Sequence, residues 1–211
     1  MANFLDKVQP KNKMQLKQLV DYAFKHNIYD LNFIDTSKIT DMSELFININ
    51  HNFDVSKWDV SNVTNMSQMF YYCKNFDCDL SNWDVSNVKD MSYMFTYCFK
   101  FNCDLSTWDV SNVKNMAHIF HGCSIFIGKG LENWDVSNVT DMTCMFDGCK
   151  NFNCDLSNWD VSNVINMYAL FRKCNKFTGR GLENWDVSKV TDMRYMFNDC
   201  DKISIPSWYE E

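Results

Sequence analysis

From residue 31 onward the chain repeats one arrangement of apolar and polar positions. In Leu80-Ser81-Asn82-Trp83-Asp84-Val85-Ser86-Asn87-Val88, apolar and polar residues alternate through Trp83 and Val85. That period of two is the mark of a half-buried strand. The next residues, Lys89 to Cys98, place Met91, Met94 and Phe95 at i, i+3 and i+4 behind Asp90. This spacing predicts one or two helical turns with Asp90, or Asn65, Asn115 and Asn166 in other units, as the N-cap. A short turn then carries Cys98 and Phe101 back inside.

The pattern recurs in register. Trp58, Trp83, Trp108, Trp134, Trp159 and Trp185 are spaced 25, 25, 26, 25 and 26 residues apart. Met66 to Met193, Phe70 to Phe197 and Cys73 to Cys200 follow at the same intervals. Counted from Leu31, Val55, Leu80, Leu105, Leu131, Leu156 and Leu182, there are seven units, the first degenerate with Ile34 in place of Trp. One strand and one short helix cannot bury its own apolar face, so the units must stack. The expectation is a right-handed solenoid of seven coils with a parallel β-sheet along W-D-V. Leu16, Leu19, Val20, Ala23 and Phe24 trace an amphipathic helix that would cap the first coil. Ile203, Ile205, Pro206, Trp208 and Tyr209 would cover the last coil, with Glu210 and Glu211 solvated. The expected organisation is one structural domain: a capping helix in 1–29, the solenoid in 30–205 and a C-terminal cap in 206–211.

Charge narrows the classes of partner. With 20 Lys+Arg against 27 Asp+Glu, the chain is acidic, which argues against nucleic acid and anionic membrane. No stretch has the apolar length of a membrane span, and residues 1–10 lack a secretory signal pattern. The expected location is the cytoplasm, or the cell surface if an export signal precedes the sequence. Cytoplasmic thiols stay reduced, and the cysteine ladder reads as buried structural thiols.

The units WDVSNVTNMSQMF (58–70) and DLSNWDVSNV (79–88) resemble the 25-residue repeat of BspA-family surface proteins, which are grouped with the leucine-rich repeats. The resemblance covers about 30–203. It implies an α/β, LRR-like solenoid used for binding or adhesion, with no catalytic residue to carry over. Cys78, Cys103 and Cys154 depart from it, standing where many members carry Gln.

Two surfaces are candidates for contact with a partner, expected to be another protein offering a basic segment to a monomeric chain. One is the aspartate row Asp59, Asp84, Asp109, Asp135, Asp160 and Asp186, which alternation places on the solvent side of the expected sheet. Its residues either accept hydrogen bonds from neighbouring Ser and set the coil, or form an acidic stripe. The other is the set of variable aromatics, Tyr72, Tyr93 and Tyr97 foremost. Catalytic, cofactor and metal sites are all expected to be absent. His118 and His121, at i and i+3, have no third ligand in sequence, and Gly128-Lys129-Gly130 is a turn without the GKS or GKT of a phosphate loop. The expected function is a non-enzymatic protein–protein interaction module. The alternative is a structural subunit packing side by side into an array.

Overall fold

Helix α1 spans Lys13–Lys25, with the Asn12 side chain accepting from the Gln15 N–H at 3.0 Å. Leu16, Val20 and Ala23 are buried, as the amphipathic spacing predicts. The helix lies against the first unit: Lys17 Nζ donates to the Leu45 carbonyl at 3.1 Å, and Lys13 bonds Ser43. Asn27 then takes φ 58°, a left-handed turn that Asn tolerates, and the helix ends. The computed structural model describes residues 7–210; residues 1–6 of the expected signal-free leader and Glu211 lie outside the described residues. No described helix is long and apolar enough to cross a membrane.

The expected LRR-like solenoid with its parallel sheet and helical turns does not form. Among the described residues no segment is a β-strand, α1 is the single α-helix, and the one other helical element is a 3-10 turn at Leu131–Asn133. Parallel pairing is reduced to isolated one-residue bridges such as Asp90 with Asn115 and Asn115 with Asp141. Among the described residues, six of the eight bridges fall at the Asp or Asn before each Met; the other two, Val8 with Ile34 and Asp30 with Asp54, lie at the N-terminal end. The physical reason is that local turns consume the W-D-V backbone. Trp83 N–H donates to Leu80 O at 3.0 Å, Val88 N–H to Val85 O at 2.9 Å, and Ser86 N–H to Asp84 Oδ1 at 3.1 Å. A backbone closed on itself every three residues cannot run as an extended strand.

The Met-Phe segment fails as a helix for a related reason. Tyr93 and Tyr97 both sit at φ 59°, and one such residue every four breaks an α-helix. Met91, Tyr93, Phe95 and Tyr97 donate their N–H groups to Asn115, Ala117, Ile119 and His121 of the next unit, at 2.7–3.1 Å. Those donors therefore serve a neighbour 24 residues on instead of residue i−4. Without a sheet face or a solenoid flank, the interaction module and the side-by-side array both lose the surface they required.

The core is made of aromatic ladders. Phe95 stacks on Phe70 at 5.5 Å and on Phe120 at 5.8 Å, with ring planes within 5° of parallel. A second file, Phe76, Phe101 and Phe126, lies against the first. Each buried Trp has its indole N–H satisfied by a carbonyl of the preceding unit, as Trp108 Nε1 to Leu80 O at 3.1 Å. The ladder cysteines do likewise: Cys98, Cys123 and Cys149 donate to Phe70, Phe95 and Phe120 carbonyls at 3.0 Å. All ten cysteines are free thiols. At the C-terminal end Trp208 continues the Trp file, stacking on Trp185 at 6.4 Å and donating to Leu182 O at 2.7 Å, while Ile205 is exposed.

Candidate functional site

The Met-Phe segments of successive units are hydrogen-bonded in register, so side chains at equivalent positions form rows. One row runs Tyr93, His118, Cys144 and Ala169; the next runs Thr96, His121, Asp147 and Arg172. A third runs Tyr72, Tyr97, Gly122, Gly148 and Lys173, every one of them at positive φ. Since Tyr72, Tyr97 and Lys173 adopt that backbone, the glycines are not needed for conformation here. Their effect is space. A Cβ on Gly122 would lie 2.4 Å from Tyr97 Cδ1, so the Tyr97 ring leans over a bare backbone. Gly148 continues that bare floor beside it.

The result is a groove of about 430 Å³. Tyr97 and Phe99 form one wall, their centroids 6.0 Å apart. Lys150, Arg172 and Lys173 also line the groove. Arg172 grips the buried Asp147 through two bonds, Nε to Oδ1 at 3.0 Å and a terminal nitrogen to Oδ2 at 2.5 Å. This pairing raises the Arg172 pKa further. Among the described residues neither Lys150 nor Lys173 forms an ion pair.

His121, which lines the groove, also belongs to a cluster that the sequence leaves scattered. His118, His121 and Cys144 each bring one potential ligand atom within 4.8 Å of the others. Tyr93 stacks flat on His118 at 4.4 Å, and Tyr97 OH is 2.8 Å from His121 Nε2. His121 Nδ1 lies 3.3 Å from Asp147 Oδ2, yet it is buried and forms no hydrogen bond. Burial, with His121 alongside, pushes the His118 imidazole down to about 4. Burial also lowers His121, and it raises the Cys144 thiol to about 11. Both imidazoles are therefore neutral at pH 7, and the thiol carries its proton. A signal for this cluster was present in the sequence. Cys144 is the one cysteine outside the two ladder positions, and it occupies the place of His118 one unit later.

The candidate residues from the sequence are placed as follows. Asp59, Asp84, Asp109, Asp135, Asp160 and Asp186 are all exposed. Each accepts from the backbone N–H of the Ser two residues on, at 3.0–3.1 Å, forming an Asx turn. Hydrogen bonds from Ser86, Ser162 and Ser188 lower the pKa of Asp84, Asp160 and Asp186. Tyr72 meets Tyr97 edge to face at 5.3 Å and holds Lys74 over its ring at 4.6 Å. Of the three aromatics, Tyr97 lines the groove and Tyr93 stacks on His118 of the His–Cys cluster, while the aspartate row lines neither.

Fold and site define a protein of serially bonded turn units whose surface includes a groove that gathers cationic and aromatic side chains. Two stretches, residues 14–129 and 120–209, match the family described as Mycoplasma protein of unknown function, DUF285. The matches extend over most of the sequence, and the chain belongs to that family. This corrects the BspA and leucine-rich-repeat resemblance: the family is a different one, and the strands that leucine-rich repeats require are absent among the described residues. No curated protein and no solved structure matches the chain.

Proposed function

We propose that this chain binds a small anionic ligand with a flat ring in the groove lined by Tyr97, Phe99, Lys150 and Lys173. One observation carries the reading. In a chain of formal charge −7, three cationic side chains gather at one groove against the single carboxylate of Asp147. The Asp147–Arg172 pair is internally neutral, which leaves Lys150 and Lys173 to meet the ligand's charge. Tyr97 and Phe99, their rings tilted 58° to each other, supply aromatic surface for a ring to pack on, and Gly148 leaves open space beside the Tyr97-covered Gly122. The groove offers binding groups, and the reading is of a binding protein without chemistry of its own.

Calorimetric titration with phenyl phosphate, benzoate and benzylamine tests it. Phenyl phosphate and benzoate should bind and raise Tm, benzylamine should not, and the double variant Lys150→Glu with Lys173→Glu should lose the response. An equal response to benzylamine, or anion binding unchanged in the double variant, would overturn the reading.

A further inference from the structure

We infer that His118, His121 and Cys144 form a binding site for one thiophilic transition-metal ion of the zinc class. The inference is independent of the ligand proposed for the groove. It starts from convergence: two units contribute three donors whose ligand atoms lie within 4.8 Å of one another. Around a tetrahedral ion, Zn–N bonds of about 2.1 Å and a Zn–S bond of about 2.3 Å place ligand atoms roughly 3.5 Å apart. Side-chain rotation on a half-buried surface covers that difference.

The state of each donor points the same way. His121 is fixed at one nitrogen by Tyr97 OH at 2.8 Å, and its other nitrogen is a buried polar atom without a hydrogen bond. A buried orphan of this kind is costly unless something binds it. Six ladder cysteines satisfy their thiols on Phe carbonyls, but the Cys144 thiol, 4% exposed, forms no hydrogen bond among the described residues. An ion would satisfy both atoms at once. Neighbours that would hold the imidazoles are also in place: Tyr93 lies flat on His118, and Tyr97 and the Arg172-held Asp147 flank His121.

Donor chemistry selects the ion. Two imidazoles and a thiolate suit Zn²⁺ and its neighbours, whereas Mg²⁺ and Ca²⁺ require oxygen ligands. On binding, the Cys144 S–H bond breaks, sulfur keeps the electron pair and ligates the metal, and the proton leaves to solvent. Two imidazole nitrogens donate lone pairs without losing a proton. The charge of the dication is then partly offset by the thiolate, while Asp147, its charge already met by Arg172, stays a neighbour of His121. Three protein ligands leave a fourth position for water.

The test uses Co²⁺ as a spectroscopic stand-in, titrated into the full chain after removal of metal under reducing conditions. One equivalent should produce the thiolate-to-cobalt charge-transfer band and the intense visible bands of a tetrahedral site, and one equivalent of Zn²⁺ should abolish both. Cys144→Ser should remove the charge-transfer band, and His118→Gln should weaken uptake by more than the roughly 10–100-fold expected for an outer-shell partner. Cys103→Ser, which changes a half-buried thiol elsewhere, should alter nothing, as should Lys150→Ala with Lys173→Ala in the groove. Circular dichroism verifies that each variant is folded. The inference is overturned if no tetrahedral complex forms at one equivalent, if the band survives Cys144→Ser, or if it disappears with Cys103→Ser. Metal uptake without anion binding would leave this site standing and remove the groove reading; anion binding without metal uptake would do the reverse.

Discussion

Phe120→Ala probes whether the stacked rings carry the stability of the molecule. Phe120 is fully buried and touches five rings: Phe95, Phe101, Phe126, Trp134 and Phe146, at centroid distances from 4.3 to 6.3 Å. Removing the ring forfeits roughly 1.5–3 kcal/mol of apolar burial. An unfilled space of order 100 Å³ adds roughly 2 kcal/mol at about 24 cal/mol per Å³. The expected loss is therefore about 3.5–5 kcal/mol. Collapse is restricted because the neighbouring units are tied by backbone bonds, Phe95 N–H to Ile119 O and Phe120 N–H to Met145 O. Phe197 is the control. It sits in the same file at the C-terminal end, is 7% exposed and has a ring of the same file on one side only. Phe197→Ala should cost about half as much. Urea unfolding of the two variants and wild type, with m-values compared, gives both numbers. A Phe120→Ala loss below about 1.5 kcal/mol, or equal losses at the two positions, would refute the reasoning, since well-packed Phe-to-Ala changes fall at about 3–5 kcal/mol.

Three further outcomes are expected. Asp109→Asn keeps an oxygen for the Ser111 N–H and should change stability by less than about 0.5 kcal/mol, whereas Asp109→Ala loses the turn acceptor and should cost about 1 kcal/mol; chemical denaturation separates the two. His51, set edge-on to Phe24 at 4.6 Å with its Nε2 buried and unpaired, has its pKa lowered by burial. The unfolded chain then takes up the proton first as pH falls below about 6.5, so stability should fall from there until the folded pKa is reached. An NMR titration of His51 locates that pKa, and His51→Leu should flatten this part of the pH profile. Thiol labelling followed by peptide mapping should reach half-buried Cys103 and Cys200 well before Cys98, Cys123 or Cys149, which are fully buried.

Periodicity is a statement about which side of the backbone is buried, and on that question the sequence of this chain is decisive. The Trp, Met, Phe and Cys ladders, the inward Val85 and Val88, and the apolar stripe of α1 were all legible from residue spacing, because burial follows side-chain chemistry position by position. Hydrogen bonding is a different matter. A strand and a chain of tight turns can both alternate side chains in and out, so W-D-V is compatible with either. The choice fell to turns because Asp84 Oδ1 captures the Ser86 N–H and Val88 N–H closes on Val85 O, while Met91 and Phe95 reach partners about one unit away. The groove and the His–Cys cluster depend on the same long-range register. Only when Tyr93 N–H meets Ala117 O, and His118 N–H meets Thr143 O, do His118 and Cys144 become neighbours. Side-chain type thus determined the core, and the pairing of backbone groups between units decided the fold of each segment and the residues that share a site.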